Sequence, residues 1–220
     1  KAPYTSTGNN NPGIETYLAD KREVGVIYGT AYNRSNQLIY ASAFIKRHCG
    51  STKDSDADGK EDIGMIYSVN SSGTATNWLN LTTLGVDVGL SNMPTIAQRN
   101  LNTSNVSDWS YDDLIFSQIG KIGLGDMDIS DDNSTLYIIN LFDKKLYSID
   151  IATKTLVGGA GVSIPSSCTG GSMRPFAVKY YRGNIYVGVV CDAATSQLTA
   201  DLNATIYRFD GASFTSVLSF

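Results

Sequence analysis

Thr135-Leu136-Tyr137-Ile138-Ile139-Asn140-Leu141-Phe142-Asp143-Lys144-Lys145-Leu146-Tyr147-Ser148-Ile149-Asp150 reads as two strands joined by a tight turn. Each half carries an apolar-Tyr pair, Leu136-Tyr137 and Leu146-Tyr147, among β-branched residues. That composition and period-two spacing suit a pleated strand packed on its faces. Asp143-Lys144 supplies the turn.

The same hairpin recurs. Leu38–Ile45 and Met65–Val69 carry Ile39-Tyr40 and Ile66-Tyr67, while Asn184–Val190 and Thr205–Asp210 carry Ile185-Tyr186 and Ile206-Tyr207. Each pair is preceded by an opening strand (Gly25–Tyr32, Leu124–Ser130, Phe176–Tyr181) and followed by an outer one (Thr74–Leu81, Lys154–Gly158, Ser213–Ser219). Asn33-Arg34-Ser35-Asn36, Asp131-Asp132-Asn133 and Arg182-Gly183 are hairpin-forming turns. Four antiparallel strands per repeat predict an all-β, propeller-like fold with three blades, at about 24–81, 122–159 and 174–220. Three blades leave the ring incomplete, since propellers have roughly four to eight. Other blades or domains of a longer parent protein, or another chain, are therefore expected to complete it.

Residues 1–23 read as an N-terminal arm, loose over Lys1–Thr16, where Gly8-Asn9-Asn10-Asn11-Pro12-Gly13 opposes regular structure. An insertion at 82–121 separates the first two blades. Ser110 and Asp113 have capping-box spacing, which predicts a short helix there, anchored by Trp109 and Phe116. The first and third blades carry insertions between their second and third strands, the latter at Asp192–Asn203. The shared location implies one decorated face.

The first of these insertions holds Asp54-Ser55-Asp56-Ala57-Asp58-Gly59-Lys60-Glu61-Asp62. Calcium takes about six to eight oxygens at roughly 2.3–2.6 Å, carboxylates and backbone carbonyls above all. Asp54, Asp56 and Asp58 would point inward, Lys60 would give its carbonyl, and Asp62 would close a Ca2+ site. Gly59 permits the bend. The alternative is a solvated acidic turn. An EF-hand would continue to a bidentate Glu at its twelfth position, which here is Met65, inside a predicted strand. A calcium loop feeding a strand resembles the metal loops of integrin α-subunit propellers, which implies a structural ion.

The chain has 220 residues, a net charge of −4 and only 17% charged residues. That excludes the basic stripe of a nucleic-acid binder and suits an extracellular β protein. No apolar run reaches membrane-spanning length. The absence of an initiator Met suggests a processed or excised piece. Of three cysteines, Cys168 and Cys191 flank a hairpin and can form a disulfide, which suits an oxidising compartment. Cys49 is left as a small buried hydrophobe or an intermolecular link.

Gly29-Thr30-Ala31-Tyr32 with Tyr40–His48, Gly123–Ser130 and Arg174-Pro175-Phe176-Ala177-Val178-Lys179 resemble the propeller-like region of large bacterial cell-surface proteins. Such proteins often continue into repetitive adhesin-type modules. The resemblance covers Val24 to about Val190 and implies architecture and a surface location, without naming a chemistry. The calcium loop is an addition to it.

Other chemistry is thin. His48, the single histidine, adjoins Cys49, but neighbours in a strand point to opposite faces and make a poor catalytic pair. One His with scattered Cys also opposes a zinc site. Asp126 and Asp128 share a strand face. They could serve glycoside hydrolysis, ligate a second cation with Asp131 or Asp132, or hydrogen-bond neighbouring blades. Lys46, Arg47, Arg174 and Arg182 could form an anion site or remain solvated. Most tyrosines fit repeat positions and are packing residues. Asn80-Leu81-Thr82 and Asn203-Ala204-Thr205 are glycosylation triplets. Taken together, these readings favour a calcium-stabilised surface module for adhesion, recognition or assembly, with a glycan or protein ligand. A glycan-active enzyme and a purely structural subunit of a surface layer or filament are the alternatives.

Overall fold

The computed structural model describes residues 18–50, 54–101 and 112–220. Twelve strands form three four-stranded antiparallel sheets, each laid down in chain order. Blade one comprises β1 (Ile27–Asn33), β2 (Leu38–Ala43), β3 (Met65–Val69) and β4 (Ala75–Asn80). Blade two comprises β5 (Leu124–Ile129), β6 (Thr135–Asn140), β7 (Lys145–Asp150) and β8 (Thr155–Ser163). Blade three comprises β9 (Ser172–Tyr181), β10 (Asn184–Asp192), β11 (Asn203–Phe209) and β12 (Phe214–Ser219). The fold is all-β and propeller-like.

The turns close as their residues dictate. Lys144 (φ 61°), Asn133 (φ 63°) and Arg182-Gly183 (φ 49° and 79°) occupy the left-handed region that tight hairpins need. The outer strand of blade two runs further than the sequence indicates. Gly158, Gly159 and Gly161 adopt φ of 76°, 78° and 69°. They carry β8 through an irregularity to pair Ser163 with Lys145.

Successive blades pack face to face. The forward face of blade one (Ala31, Tyr40, Ile66, Trp78) shares a core with the backward face of blade two (Met127, Ile129, Leu136, Ile138). Ile139, Leu141 and Leu146, on the forward face of blade two, meet Val178, Ile185, Val187 and Phe209 of blade three. Each fully buried aliphatic side chain contributes about 1.5–3 kcal/mol. The backward face of blade one is covered from within the chain. Leu18, Ala19 and Val24, the last in the helical turn α1 (Lys21–Val24), pack with Ala43, Met65, Tyr67 and Val69. The predicted loose stretch Lys1–Thr16 lies outside the described residues.

The helix of the inter-blade insertion is displaced from its expected place. Helix α2 spans Ile96–Arg99 and has a complete capping box between Thr95 and Gln98. Trp109, Ser110 and Tyr111 lie outside the described residues. Beyond them the chain makes only a 3-10 turn at Phe116–Gln118. Phe116 is not an anchor: it is 66% exposed, under the Arg47 guanidinium at 5.3 Å, and the buried side chain is Ile115.

The innermost strands come within backbone distance. Ser42 Oγ accepts from the Gly29 amide (3.0 Å) and donates to the Gly125 carbonyl of blade two (2.9 Å). A Cβ on Gly29 would lie 2.8 Å from the Gly125 oxygen and the Met127 nitrogen. Both obstacles are backbone, so Gly29→Ala is expected to lower the unfolding free energy by about 1–3 kcal/mol in denaturant titration.

Candidate metal centre and its loop platform

All the decorated loops fall at one end of the sheets. The β2–β3 loop carries the acidic sequence, the β10–β11 connection carries residues 193–202, and the insertion leaves β4 at the same end. In the acidic loop the carboxylates of Asp54, Asp56 and Asp58 each offer an oxygen within 4.8 Å of the others. Backbone amides set this grouping. Asp54 accepts from Asp58 N (2.9 Å) and Gly59 N (2.8 Å), and Asp58 accepts from Lys60 N (2.8 Å). Gly59 (φ 83°) and Ala57 (φ 59°) make the bends.

Asp62 stands deeper. It is buried and accepts from Ser55 N at 3.0 Å, closing the ends of the loop on each other. Burial pushes its carboxyl above the usual range, and the charges of Asp56 and Asp54 add to the effect. A cavity of about 10 Å³ lies among Asp56, Asp58, Glu61, Asp62 and Asn80, room for about one water-sized sphere. Lys60 directs its ammonium to the Leu90 carbonyl (2.8 Å). Met65, at the position of an EF-hand glutamate, is 3% exposed inside β3. The oxygen-rich donor set fits a hard cation.

The support for this loop is a buried arginine. Arg99, 1% exposed at the end of α2, pairs through Nη1 with Glu61, the residue between Lys60 and Asp62. Its Nε and Nη2 meet Asp112 (3.2 and 2.5 Å), and Nη2 also reaches the carbonyls of Lys46 and Cys49 (both 3.1 Å). Asp112 accepts in turn from His48 N at 2.9 Å. One guanidinium thus joins four segments. No local pattern announces it; the Thr95–Gln98 capping box marks the helix but not the burial of its last residue. His48 takes part through its backbone, at φ 62°, and Cys49 is a half-buried free thiol.

Asp126 and Asp128 hold two blades together. Asp126 accepts from Val178 N (3.3 Å) and Met127 N (3.0 Å). Asp128 accepts from Tyr180 N (2.7 Å) and pairs with Lys179 (2.8 Å). The carboxylates of β5 thereby satisfy amides of β9. At this opposite end of the sheets, Thr30, Tyr32, Arg34, Asp131, Lys179 and Tyr180 line a polar cavity of about 300 Å³.

Of the two readings of Lys46, Arg47, Arg174 and Arg182, the anion site does not assemble. Arg174 pairs with Asp192 (2.6 Å), Arg182 lies over Tyr181 (5.1 Å), and Arg47 donates to the Asp112 carbonyl. Asn80 and Asn203 use their amide oxygens on Thr82 and Thr205. Cys168 and Cys191 are joined in a disulfide that ties the approach of β9 to the end of β10.

Arg99→Met would remove the guanidinium that pairs with the buried Glu61 and Asp112. A loss of about 3–5 kcal/mol at pH 7 is expected in denaturant titration. Burial alone would raise the Asp112 carboxyl, but the Arg99 hydrogen bond and the His48 amide hold it below the usual carboxylate range. A lowered folded-state pKa gives stability that is present above about pH 4 and lost as pH falls through the folded value. Asp112→Asn is therefore expected to flatten the acid limb of a stability–pH profile.

No protein-family model matches the chain. Dictyostelium discoideum proteins are similar to it, Colossin-D and Colossin-A among them. Colossin-D is 30% identical over 180 residues, which is 81% of this chain and 18% of that protein. Colossin-A is 26% identical over 228 residues, which is 99% of this chain and 2% of that protein. The chain thus spans less than a fifth of the curated relatives it matches. Both come from Dictyostelium, whereas the resemblance noted in the sequence was to bacterial proteins. Among solved structures, the nidogen/laminin complex aligns with TM-score 0.45 and 11% identity over 88% of this chain and 48% of that one. A calcium-binding regucalcin from Agrobacterium tumefaciens aligns with TM-score 0.43 and 12% identity over 93% and 49%.

Proposed function

We propose that this chain is a calcium-stabilised propeller module of an extracellular protein, acting in recognition or surface assembly rather than in catalysis. The observation that carries the reading is the trio Asp54, Asp56 and Asp58, gathered within 4.8 Å by the loop's own amides. Asp62 behind them and Lys60 at the exit complete the proposed ligand set for Ca2+. Four like charges in one short loop repel unless a cation neutralises them. Extracellular calcium modules bind with Kd of about 10⁻⁴–10⁻³ M, which suits an ion that fixes a loop rather than one that signals.

The disulfide supports an oxidising location. No helix among the described residues is long and apolar enough to cross a membrane. Against catalysis by Asp126 and Asp128 stands their use in tying β5 to β9. The polar cavity at the other end, with the half-exposed Tyr32 at its rim, suits a hydroxyl-rich ligand such as a surface glycan. The bacterial source implied by the sequence resemblance is not carried into this reading.

Thermal unfolding with calcium and then with excess chelator tests it. At a hundred times Kd a native-state ligand adds about 2.7 kcal/mol. That is worth about 5–10 °C in a chain of this size. Asp56→Ala should abolish the difference. A melting curve indifferent to calcium in the unmutated chain would reduce the loop to a solvated acidic turn.

A further inference from the structure

The repeat assigns every position a face, and one face lacks its partner among the described residues. Ile66 of blade one and Leu146 of blade two occupy the same repeat position and are 0% and 1% exposed, each covered by the next blade. The third equivalent, Ile206, is only half-buried. Around it the ladder places Gly188 and Leu218 in its row and Val190, Ala204 and Phe220 in the next. Leu218, Val190 and Phe220 are 51%, 48% and 75% exposed. Tyr186 holds the position of Tyr40 and of Tyr137. Tyr40 packs on Trp78 in the core shared with blade two, and Tyr137 stacks on Tyr180 of blade three at 5.6 Å.

Strand β10 runs Ile185-Tyr186-Val187-Gly188-Val189-Val190-Cys191. An unbroken apolar run marks a strand covered on both sides, but here Val187 is buried and Val190 is open. Beside Tyr186 in the ladder, Arg208 has a buried Nε with no hydrogen-bond partner among the described residues. A covering layer that supplies an acceptor would satisfy it.

We infer that the forward face of blade three seats a fourth four-stranded blade of the same repeat type, carried by the same polypeptide and following blade three in sequence. Chain order supplies the direction. Blade one's forward face takes blade two, and blade two's takes blade three. A second copy is a poor fit for head-to-tail closure. The backward face of blade one, which would have to receive it, is occupied by Leu18, Ala19 and Val24. The occupant's chemistry follows: an aliphatic backward face like that of Met127, Ile129 and Ile138, with an oxygen acceptor opposite Arg208.

The test compares this 220-residue chain with the same chain extended after Phe220 by one further repeat. Ile206→Asp is expected to move the Tm of the shorter chain by less than about 2 °C and that of the extended chain down by about 5 °C or more. Ile206→Thr gives the same contrast in smaller measure if the Asp variant of the extended chain does not fold. Equal shifts in the two lengths would overturn the proposal. So would a dimer of the shorter chain in sedimentation that Ile206→Asp dissolves, which would give the face to a second copy. The readout is the same in chelator, so it stands or falls apart from the calcium site.

Discussion

Everything in this molecule rests on how closely neighbouring sheets can approach at their inner edges. Ser42 bridges the Gly29 amide and the Gly125 carbonyl, two glycines with no side chain to hold the strands apart. Further along the same seam, Asn33 donates to the Asn133 carbonyl (3.1 Å). From blade two to blade three the task passes to Asp126 and Asp128, which accept amides of β9. Innermost strands would otherwise leave backbone donors unpaired at the centre of the fold, at a cost of about 1–3 kcal/mol each. Polar groups hold the hub, and apolar side chains fill the wedges that widen from it.

The loop platform follows a different logic. Strand ladders do not reach it, so its order comes from charge. Arg99 sits out of water and its donors are spread over Glu61, Asp112 and the carbonyls of Lys46 and Cys49. A buried ion network of this kind contributes little net stability compared with an apolar core, but it tolerates few alternative arrangements. Glu61 belongs to the acidic loop, so the loop's exit is fixed before any cation enters. The entropy to be lost on binding is correspondingly smaller.

The strands were legible because their chemistry is local. The apolar-Tyr pairs located β2, β3, β6, β7, β10 and β11, and the turn residues set their ends. The grouping of Asp54, Asp56 and Asp58 and the Cys168–Cys191 pairing could be read for the same reason, since each depends on a short stretch or on one hairpin. What escaped depends on residues far apart. Arg99 lies 38 positions from Glu61 and 53 from Lys46, and nothing around it in sequence marks it as buried. The continuation of β8 was hidden because glycine usually weakens strands. The helix of the insertion was assigned to Ser110 when the stronger box, Thr95 with Gln98, lay earlier. Asp126 and Asp128 were correctly placed on one face, but only the position of β9 shows what they bind.

The bond between Cys168 and Cys191 gives the third blade a mechanical character the other two lack. In that blade β12 is an edge strand, held by a single ladder to β11. Tension that reaches Cys191 then passes through the disulfide to Cys168, so the 23-residue span between them is not drawn out. That withholds about 80 Å of contour length. Under load the third blade would in this way yield at its outer strand and keep the β9–β10 hairpin closed by its crosslink.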